Sequence, residues 1–266
     1  MKIQSFSLQG RRRSNEDQHF HLINLDNTNR KLNKVNFVGV FDGHGGKLVS
    51  KYLKKNLPKF FINKIKRNMF KNTKETSNYI KNIFDLVQQN LIKYHPRASS
   101  YCGSTALCGI QTLDSMGKKS IWVTNVGDSR AVLCKRNNQA KALSEDHKPN
   151  SRKEKKRIGQ LGGSIEYDGS DWRIKGLSLS RAFGDVEATP YVSHRPDIFK
   201  YKLCKDDKFI IFACDGLWDV LSNQKAVDYV NKLINKRYSG NIAKALAEHA
   251  YNIGSYDNVT AVVMFL

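Results

Sequence analysis

The chain is organised around one stretch, Val38-Gly39-Val40-Phe41-Asp42-Gly43-His44-Gly45-Gly46. An apolar run typical of a buried strand ends in a carboxylate, and glycines flank the histidine that follows. Glycine has no Cβ, so a ligand or another part of the chain can approach its backbone closely. Asp42 and His44 lie two residues apart and point to the same side of an extended chain. The stretch therefore predicts the floor of an active site.

Other acidic residues stand in similar places. Asp215 follows the apolar run 209–214, Asp257 precedes the final apolar run, and Glu16 and Asp17 lie in a polar loop beside three arginines. A single carboxylate at a strand end is often a cap or a turn residue. Several that converge without histidine or cysteine ligands would suit Mg²⁺ or Mn²⁺, which prefer oxygen. The residues alone leave both readings open.

The spacing of apolar residues predicts a chain of mixed strands and helices. We expect strands over 1–8, 19–23, 35–41, 105–112, 120–126, 130–133, 209–214 and 259–265. We expect helices over 48–57, 79–92, 151–161, 223–234 and 242–253. Pro58 should interrupt the first helix, and an amphipathic stretch then runs to residue 70. An asparagine-rich turn is expected over 26–34 and a hairpin turn over 125–129.

Residues 144–176 are polar and irregular apart from their one short basic helix. A segment of this kind inside a compact domain is more often a binding flap than part of the packing. The sequence shows no internal repeat, linker or low-complexity tail. We therefore expect a single domain over 1–266 that carries a flap at about 144–176.

Charge and cysteine content indicate which binding partners and which compartment to expect for the protein. Lysine and arginine number 45 against 24 acidic residues, a net charge of +21. This predicts attraction to anions, although an excess spread over solvated helix faces explains the same number. The five cysteines form no CxxC pair and should be free, mostly buried thiols. With no signal core and no membrane segment, we expect an intracellular protein in the cytoplasm, the nucleus or both.

Seven motifs occur in order along the chain: Arg12-x-x-Asn15-Glu16-Asp17, Phe41-Asp42-Gly43-His44-Gly45-Gly46, Gly103-Ser104-Thr105-Ala106, Asn125-Val126-Gly127-Asp128-Ser129-Arg130, Leu179-Ser180-Arg181-Ala182-Phe183-Gly184-Asp185, Ala213-Cys214-Asp215-Gly216-Leu217-Trp218-Asp219 and Asp257-Asn258-Val259-Thr260. Together they resemble the metal-dependent protein phosphatases of type 2C. The resemblance runs from about residue 4 to the C-terminus. It implies an α+β fold, a four-layer αββα sandwich in which helices flank two central antiparallel sheets. It also implies a bare catalytic domain without a regulatory extension.

The same resemblance assigns roles at the site, which would hold two or three Mg²⁺ or Mn²⁺ ions. It makes Asp42 the carboxylate that bridges two metals and the Gly43 carbonyl a ligand of one of them. The remaining metal ligands that it implies are Glu16, Asp215 and Asp257, with Asp128 and Asp219 as possible holders of a third ion. Asp17 would lie behind the ligands, and Asn258 would support the neighbouring aspartate.

The resemblance also implies a mechanism for hydrolysing phosphoserine and phosphothreonine. Two cations lower the pKa of a shared water, which attacks phosphorus without forming a covalent phospho-enzyme. Arg12 would bind the phosphate. Arg11 and Arg13 flank it, so the alignment of this motif leaves open that one of them takes this role instead. His44 would give a proton to the leaving oxygen, and the alternative is a loop imidazole that is hydrogen-bonded to a carboxylate.

Other phosphatase chemistries lack their residues here. No cysteine has an arginine six positions later, and no Asp-x-Asp occurs, which argues against cysteinyl- and aspartyl-phosphate mechanisms. The calcineurin-like metallophosphatases need a glycine before the first aspartate and an Asn-His pair. Phe41 precedes Asp42, and the chain has no Asn-His pair.

The alternative from another class is a catalytically weak, phosphatase-like protein that binds phosphoproteins or nucleic acid through its basic surface. The run Arg152 to Arg157 is a candidate patch for such binding. Because this run lies in the flap, a role beside the substrate, or plain exposure to solvent, is favoured over nucleic-acid binding. An inactive relative should lack some of the metal-binding acids, and none is missing. We therefore expect phosphorylated protein substrates, no nucleic acid, and a monomer.

Overall fold

The computed structural model describes residues 2–23, 35–64, 70, 72–113 and 118–266. The turn predicted over 26–34, and residues 65–69 of the predicted amphipathic stretch, lie outside these described residues. The strands are β1 (Ile3–Leu8), β2 (Gln18–Leu22), β3 (Val35–Phe41), β4 (Gly43–His44), β5 (Gly103–Ser104), β6 (Ala106–Leu113), β7 (Lys119–Val126), β8 (Arg130–Cys134), β9 (Ala140–Ala142), β10 (Glu166–Tyr167), β11 (Trp172–Arg173), β12 (Phe183–Gly184), β13 (Asp197–Lys202), β14 (Phe209–Ala213) and β15 (Val259–Phe265).

The helices are α1 (Leu48–Lys64), α2 (Thr73–Tyr94), α3 (Pro96–Tyr101), α4 (Arg152–Gln160), α5 (Asp215–Trp218), α6 (Asn223–Asn235) and α7 (Ile242–Asn252). Three of them begin at a polar cap whose side chain accepts from a backbone N–H of the first turn: Asn72, Ser222 and Asn241. None of the described helices is long and apolar enough to cross a bilayer.

Two five-stranded antiparallel sheets form the centre of the fold. One has the strand order β1-β15-β14-β8-β9, and the other has the order β13-β7-β6-β3-β2. Along β3, Val38 and Val40 pack in the cluster between the sheets, whereas Phe37 and Phe41 pack in the cluster with the helices. Successive side chains of a strand point to opposite faces, so β3 contributes to both cores.

Helices cover the outer faces of both sheets. α1 and α2 pack on the sheet that contains β3, through residues such as Leu53 and Phe84. α6 and α7 pack on the other sheet, through residues such as Val227 and Leu246. All four of these side chains are fully buried. The predicted four-layer αββα sandwich is confirmed.

The first predicted helix differs from expectation, because α1 passes through Pro58 and continues to Lys64. A proline inside a helix removes one backbone hydrogen bond and costs about 3 kcal/mol. Leu57 and Phe61 lie on either side of it and are buried in the core on the helix side of the sheet. We attribute the continued helix to this packing, since burying one such side chain contributes roughly 1.5–3 kcal/mol.

The hairpin predicted over 125–129 is also wrong. β7 pairs with β6 and β13, whereas β8 pairs with β14 and β9, so the turn carries the chain from one sheet to the other. Turn residues encode a local reversal but not the sheet that the next strand joins. Strand β13 and helix α3 were not predicted at all.

The segment predicted as a flap contains α4 and the two-stranded sheet of β10 and β11. Its buried Ile158 and Ile174 pack in a small apolar cluster with residues that follow the flap, such as Leu179 and Val192. The flap therefore shares a small packed core with the segment that follows it in the chain.

Candidate metal centre

Acidic residues from both sheets meet at one end of the sandwich. Asp42 directly follows β3, and Asp128 lies in the turn between β7 and β8. Asp215 starts α5 just after β14, and Asp257 lies two residues before β15. The antiparallel register puts the end of β14 beside the starts of β8 and β15. The fold thus gathers residues that are far apart in sequence at a single edge.

Three of these carboxylates are close together. Oxygen atoms of Asp42, Asp128 and Asp215 lie within 4.8 Å of one another. Thr105 fixes the backbone of Asp42 on both sides: its Oγ1 accepts from Asp42 N at 3.0 Å, and its N–H donates to Asp42 O at 2.8 Å. The sequence suggested Asp128 only for a possible third ion, whereas the structure brings its side chain to Asp42 and Asp215.

Without bound cations, the protein disfavours the ionised form of these carboxylates. Burial, together with neighbouring carboxylates, raises the pKa of Asp42 and of Asp215 well above the usual range. Burial likewise raises the pKa of Asp17 to about 6, and it raises the pKa of Asp219. A bound multivalent cation would reverse this balance, because opposite charge favours the ionised carboxylates.

The donor atoms fit a hard divalent cation. Two buried carboxylate oxygens, Asp17 Oδ2 and Asp128 Oδ1, have no hydrogen-bond partner among the residues that the structure describes. The other oxygen of Asp128 accepts from Lys148 Nζ at 2.6 Å, which supplies a partial counter-charge. Oxygen atoms with free lone pairs are the ligands that Mg²⁺ and Mn²⁺ take, so this donor set suits either ion.

The loop that carries Glu16 is tied to the centre through Gly43 and Asn258. A Cβ at Gly43 would lie 2.5 Å from the backbone oxygen of Glu16, so only glycine allows this approach. Glu16 Oε2 accepts from Gly46 N at 3.0 Å, and Glu16 N donates to Asn258 Oδ1 at 2.9 Å. These contacts keep Glu16 and Gly43 side by side.

Arg12 contacts one of the predicted metal-binding acids. Its Nη2 lies 2.5 Å from Asp257 Oδ2, and the side chain of Arg12 is 60% exposed. An exposed ion pair contributes only about 0–1 kcal/mol, so an incoming anion could displace Asp257 from the guanidinium of Arg12 at little cost in free energy.

His44 has a buried partner that the sequence did not reveal. His44 Nε2 lies 2.7 Å from Asp185 Oδ2. Asp185 has a left-handed backbone with φ of 46° and is 3% exposed. A Cβ at Gly103 would lie 2.0 Å from Asp185 Oδ2 and 2.4 Å from His44 Nε2, so the pair needs glycine there. Burial lowers the pKa of His44, but the hydrogen bond and the charge of Asp185 outweigh burial and leave that pKa raised.

A cleft of about 430 Å³ opens at this end of the sandwich. The predicted site residues that line it are Arg12, Glu16, Asp42, Gly43, His44, Asp128, Asp215, Asp257 and Asn258. Asp17 and Asp219 do not line it, and Asp17 is buried beside Asp42. The flap contributes residues such as Arg173 and Gly176 to the same cleft.

Sequence reasoning missed three residues of this region: Asp185, Lys148 and Arg173. Asp185 ends the motif Leu179-Ser180-Arg181-Ala182-Phe183-Gly184-Asp185, so the sequence placed it in a motif but assigned it no role. Nothing in the sequence shows that Asp185 meets a histidine 141 positions away. Lys148 and Arg173 lie in a polar segment whose pattern does not indicate which of its cations reach the cleft.

Comparison with known proteins gives matches across nearly the whole chain. A family model described as Protein phosphatase 2C matches residues 1–259. "Probable protein phosphatase 2C 59" from Arabidopsis thaliana is 39% identical over 256 residues, which cover 96% of this chain and 76% of that protein. "Protein phosphatase 1L" from Bos taurus is 34% identical over 268 residues, which cover 97% of this chain and 71% of that protein. The crystal structure of serine-threonine phosphatase 2C from Toxoplasma gondii is similar with a TM-score of 0.83 and 25% identity, over 99% of this chain and 94% of that one.

Proposed function

The chain belongs to the protein phosphatase 2C family, and on that premise we propose that it hydrolyses phosphoserine and phosphothreonine in proteins with Mg²⁺ or Mn²⁺. One observation carries the proposal: Asp42, Asp128 and Asp215 present oxygens within 4.8 Å of one another at the base of a cleft. Cations bound there would activate a water for direct attack on phosphorus and offset charge on the phosphate. No covalent phospho-enzyme is needed.

The carboxylate centre would hold two cations, and Asp42 would be one of their ligands. The other ligands in this proposal are the Gly43 carbonyl, Glu16, Asp215 and Asp257. Asp128 and Asp219 would hold a third ion, and Asp17 would support Asp42 from behind. The unpartnered oxygen of Asp128 and the raised pKa of Asp42 support these assignments. Asn258 would keep Glu16 in place through its contact with the backbone N–H of that residue.

Arg12 and His44 would act on the substrate itself. Arg12 can exchange its contact with Asp257 for the phosphate oxygens, which a guanidinium binds in bidentate fashion. His44 Nε2 is occupied by Asp185, so Nδ1 is the ring atom that would give a proton to the leaving serine or threonine oxygen. The raised pKa of His44 supports a charged imidazolium before the proton is given.

The substrates, the domain organisation, the oligomeric state and the location of the protein are part of the same proposal. Phosphorylated proteins are the substrates, and a basic chain with a net charge of +21 attracts such anions. Residues 1–266 would act as one catalytic domain, with the flap at about 144–176 beside the cleft. The protein would work as a monomer inside the cell, in the cytoplasm or the nucleus, and would need no nucleic acid.

The test measures phosphate release from a phosphothreonine peptide, with and without Mn²⁺, by the wild type and by Asp42→Ala. We expect turnover only for the wild type with Mn²⁺, and a loss of more than about 100-fold in Asp42→Ala, since even residues behind a metal ligand contribute 10–100-fold. Asp206→Ala is the matched control, because that exposed aspartate pairs with Arg136 away from the cleft. Equal rates in all conditions, or peptide binding without turnover, would contradict the proposal.

A further inference from the structure

Three consecutive arginines, of which Arg12 and Arg13 line the cleft, have different surroundings. Arg11 stacks on Tyr251 and Tyr256, with 5.2 Å and 4.5 Å from its Cζ to the ring centroids. Arg12 pairs with Asp257. Arg13 lines the cleft, is exposed, and contacts no hydrogen-bond, ion-pair or ring partner among the described residues. The first two arginines are therefore engaged, and the third is free.

The backbone that carries Arg13 is held firmly although its side chain is not. Asn258 Nδ2 donates to Gln9 O at 2.7 Å and to Ser14 O at 2.9 Å. Gly10 has φ of +66°, and a Cβ there would lie 2.1 Å from Asp257 O, so the loop presses directly on the backbone of Asp257. The loop therefore presents Arg13 to the cleft in a fixed place, and little backbone entropy remains to be lost when it binds a ligand.

The flap side of the cleft also carries a cation, but that cation is already paired. Arg173 Nε donates to Asp168, and Arg173 Nη1 donates to Gly176 O at 3.0 Å. Among the described residues that line the cleft, Arg13 is thus the arginine left without a partner. It lies one residue from Arg12, which the proposed function assigns to the reacting phosphate.

We propose that Arg13 is a specificity-determining residue that binds a second anionic side chain of the substrate, close in sequence to the phosphoresidue that is hydrolysed. The inference rests on the proposed function and deepens it by naming a substrate class. A guanidinium binds a carboxylate or a phosphoryl group through the same pair of N–H donors, so either anion satisfies the site. Substrates with acidic or phosphorylated neighbours are then preferred over substrates with basic neighbours.

The test compares kcat/KM for phosphothreonine peptides that differ only in the flanking residues, which are glutamate, glutamine or lysine. An exposed ion pair is a modest interaction, so we expect the wild type to prefer the glutamate peptide over the glutamine peptide by roughly 2- to 5-fold at low salt. Arg13→Gln should reduce that preference to about 1, Arg13→Lys should keep part of it, and Arg13→Glu should favour the lysine peptide. A peptide with a non-hydrolysable phosphonate in the flank separates recognition of a phosphoryl group from recognition of a carboxylate.

The matched control is Arg136→Gln, which removes the same charge from the turn between β8 and β9, at the far end of β8 from the cleft. Its preference should equal that of the wild type. If Arg13→Gln lowers kcat/KM equally for all peptides, Arg13 grips the reacting phosphate and the inference is wrong. An unchanged preference in Arg13→Gln also overturns it. Failure of the proposed function looks different, because the wild type would then release no phosphate from any peptide.

Discussion

At the scale of single residues, the contact between His44 Nε2 and Asp185 Oδ2 decides where the imidazole can carry a proton. Burial by itself favours the neutral ring, and Asp185 favours the charged ring strongly enough to raise the pKa of His44. In the proposed mechanism the aspartate therefore acts through the histidine and not on the substrate. Gly103 makes room for the pair, since any Cβ there would collide with both side chains.

The first prediction at this scale concerns His44→Ala. An alkyl phosphate such as phosphothreonine has a poor leaving group that needs a proton, whereas an aryl phosphate leaves readily without one. We expect kcat/KM to fall by about 100-fold or more on a phosphothreonine peptide, the usual contribution of a general acid, and by far less on p-nitrophenyl phosphate. Steady-state kinetics on both substrates with Mn²⁺ measures the two losses.

The exposed His21 on β2 offers a matched control, and His21→Ala should leave both rates near those of the wild type. An equal loss on the peptide and on the aryl phosphate in His44→Ala would argue for a structural histidine and against proton donation.

At the scale of elements, a buried ionic network links the flap helix α4 to strand β13. Arg181 Nη2 lies 2.6 Å from Glu154 Oε1, and Arg181 Nη1 lies 2.9 Å from Asp197 Oδ1. Arg157 also contacts Glu154, at 2.8 Å. Burial alone would raise the pKa of Glu154, but the two arginines outweigh burial and lower that pKa to about 2. The contribution of Glu154 to holding the flap against the sandwich thus depends on its charge, whereas Lys153 and Arg181 also contact Asp197.

The prediction for this network is a pH-dependent loss of stability in Glu154→Gln. The folded pKa of about 2 lies below the usual 4.5, so the stabilisation is complete above pH 4.5 and disappears as the pH falls towards 2. We expect the variant to lose about 3 kcal/mol of unfolding free energy at pH 7. Urea unfolding between pH 7 and pH 3 should show the gap to the wild type narrowing below pH 4.5.

Glu248→Gln is the control for this series, because Glu248 forms an exposed pair with Lys244 at 3.7 Å. Such a pair contributes about 0.5 kcal/mol or less. A gap between Glu154→Gln and the wild type that stays constant from pH 7 to pH 3 would refute the role of this charge.

Particular elements show what the sequence could and could not predict. Strand β3 and Asp42 directly after it were predictable, because an apolar run followed by a carboxylate is a local pattern. The continuation of α1 through Pro58 was not, because the packing of buried side chains overrides the local cost of proline. The crossing turn at Asp128 was missed for a related reason, since pairing partners of β7 and β8 are set by the whole sheet. Partners such as Asp185 and Lys148 depend on distances that only the folded chain defines.

At the scale of the whole molecule, the sandwich explains why the acidic residues meet. Two sheets that pack face to face bring the ends of β3 and β14 and the start of β15 to one edge, and each delivers an aspartate there. Burial and neighbouring carboxylates raise the pKa of Asp42 and of Asp215, because they make the ionised forms of both groups unfavourable. Bound cations would offset this unfavourable negative charge.

The central claim is that this edge holds the cations that make the protein a phosphatase. The most direct measurement is anomalous diffraction at the manganese edge from crystals of the wild type and of Asp42→Ala grown with Mn²⁺. We predict at least two anomalous peaks in the wild type, both in contact with the carboxylate of Asp42, and their loss in Asp42→Ala. Peaks that lie elsewhere, or wild-type crystals without any peak at saturating Mn²⁺, would contradict the account.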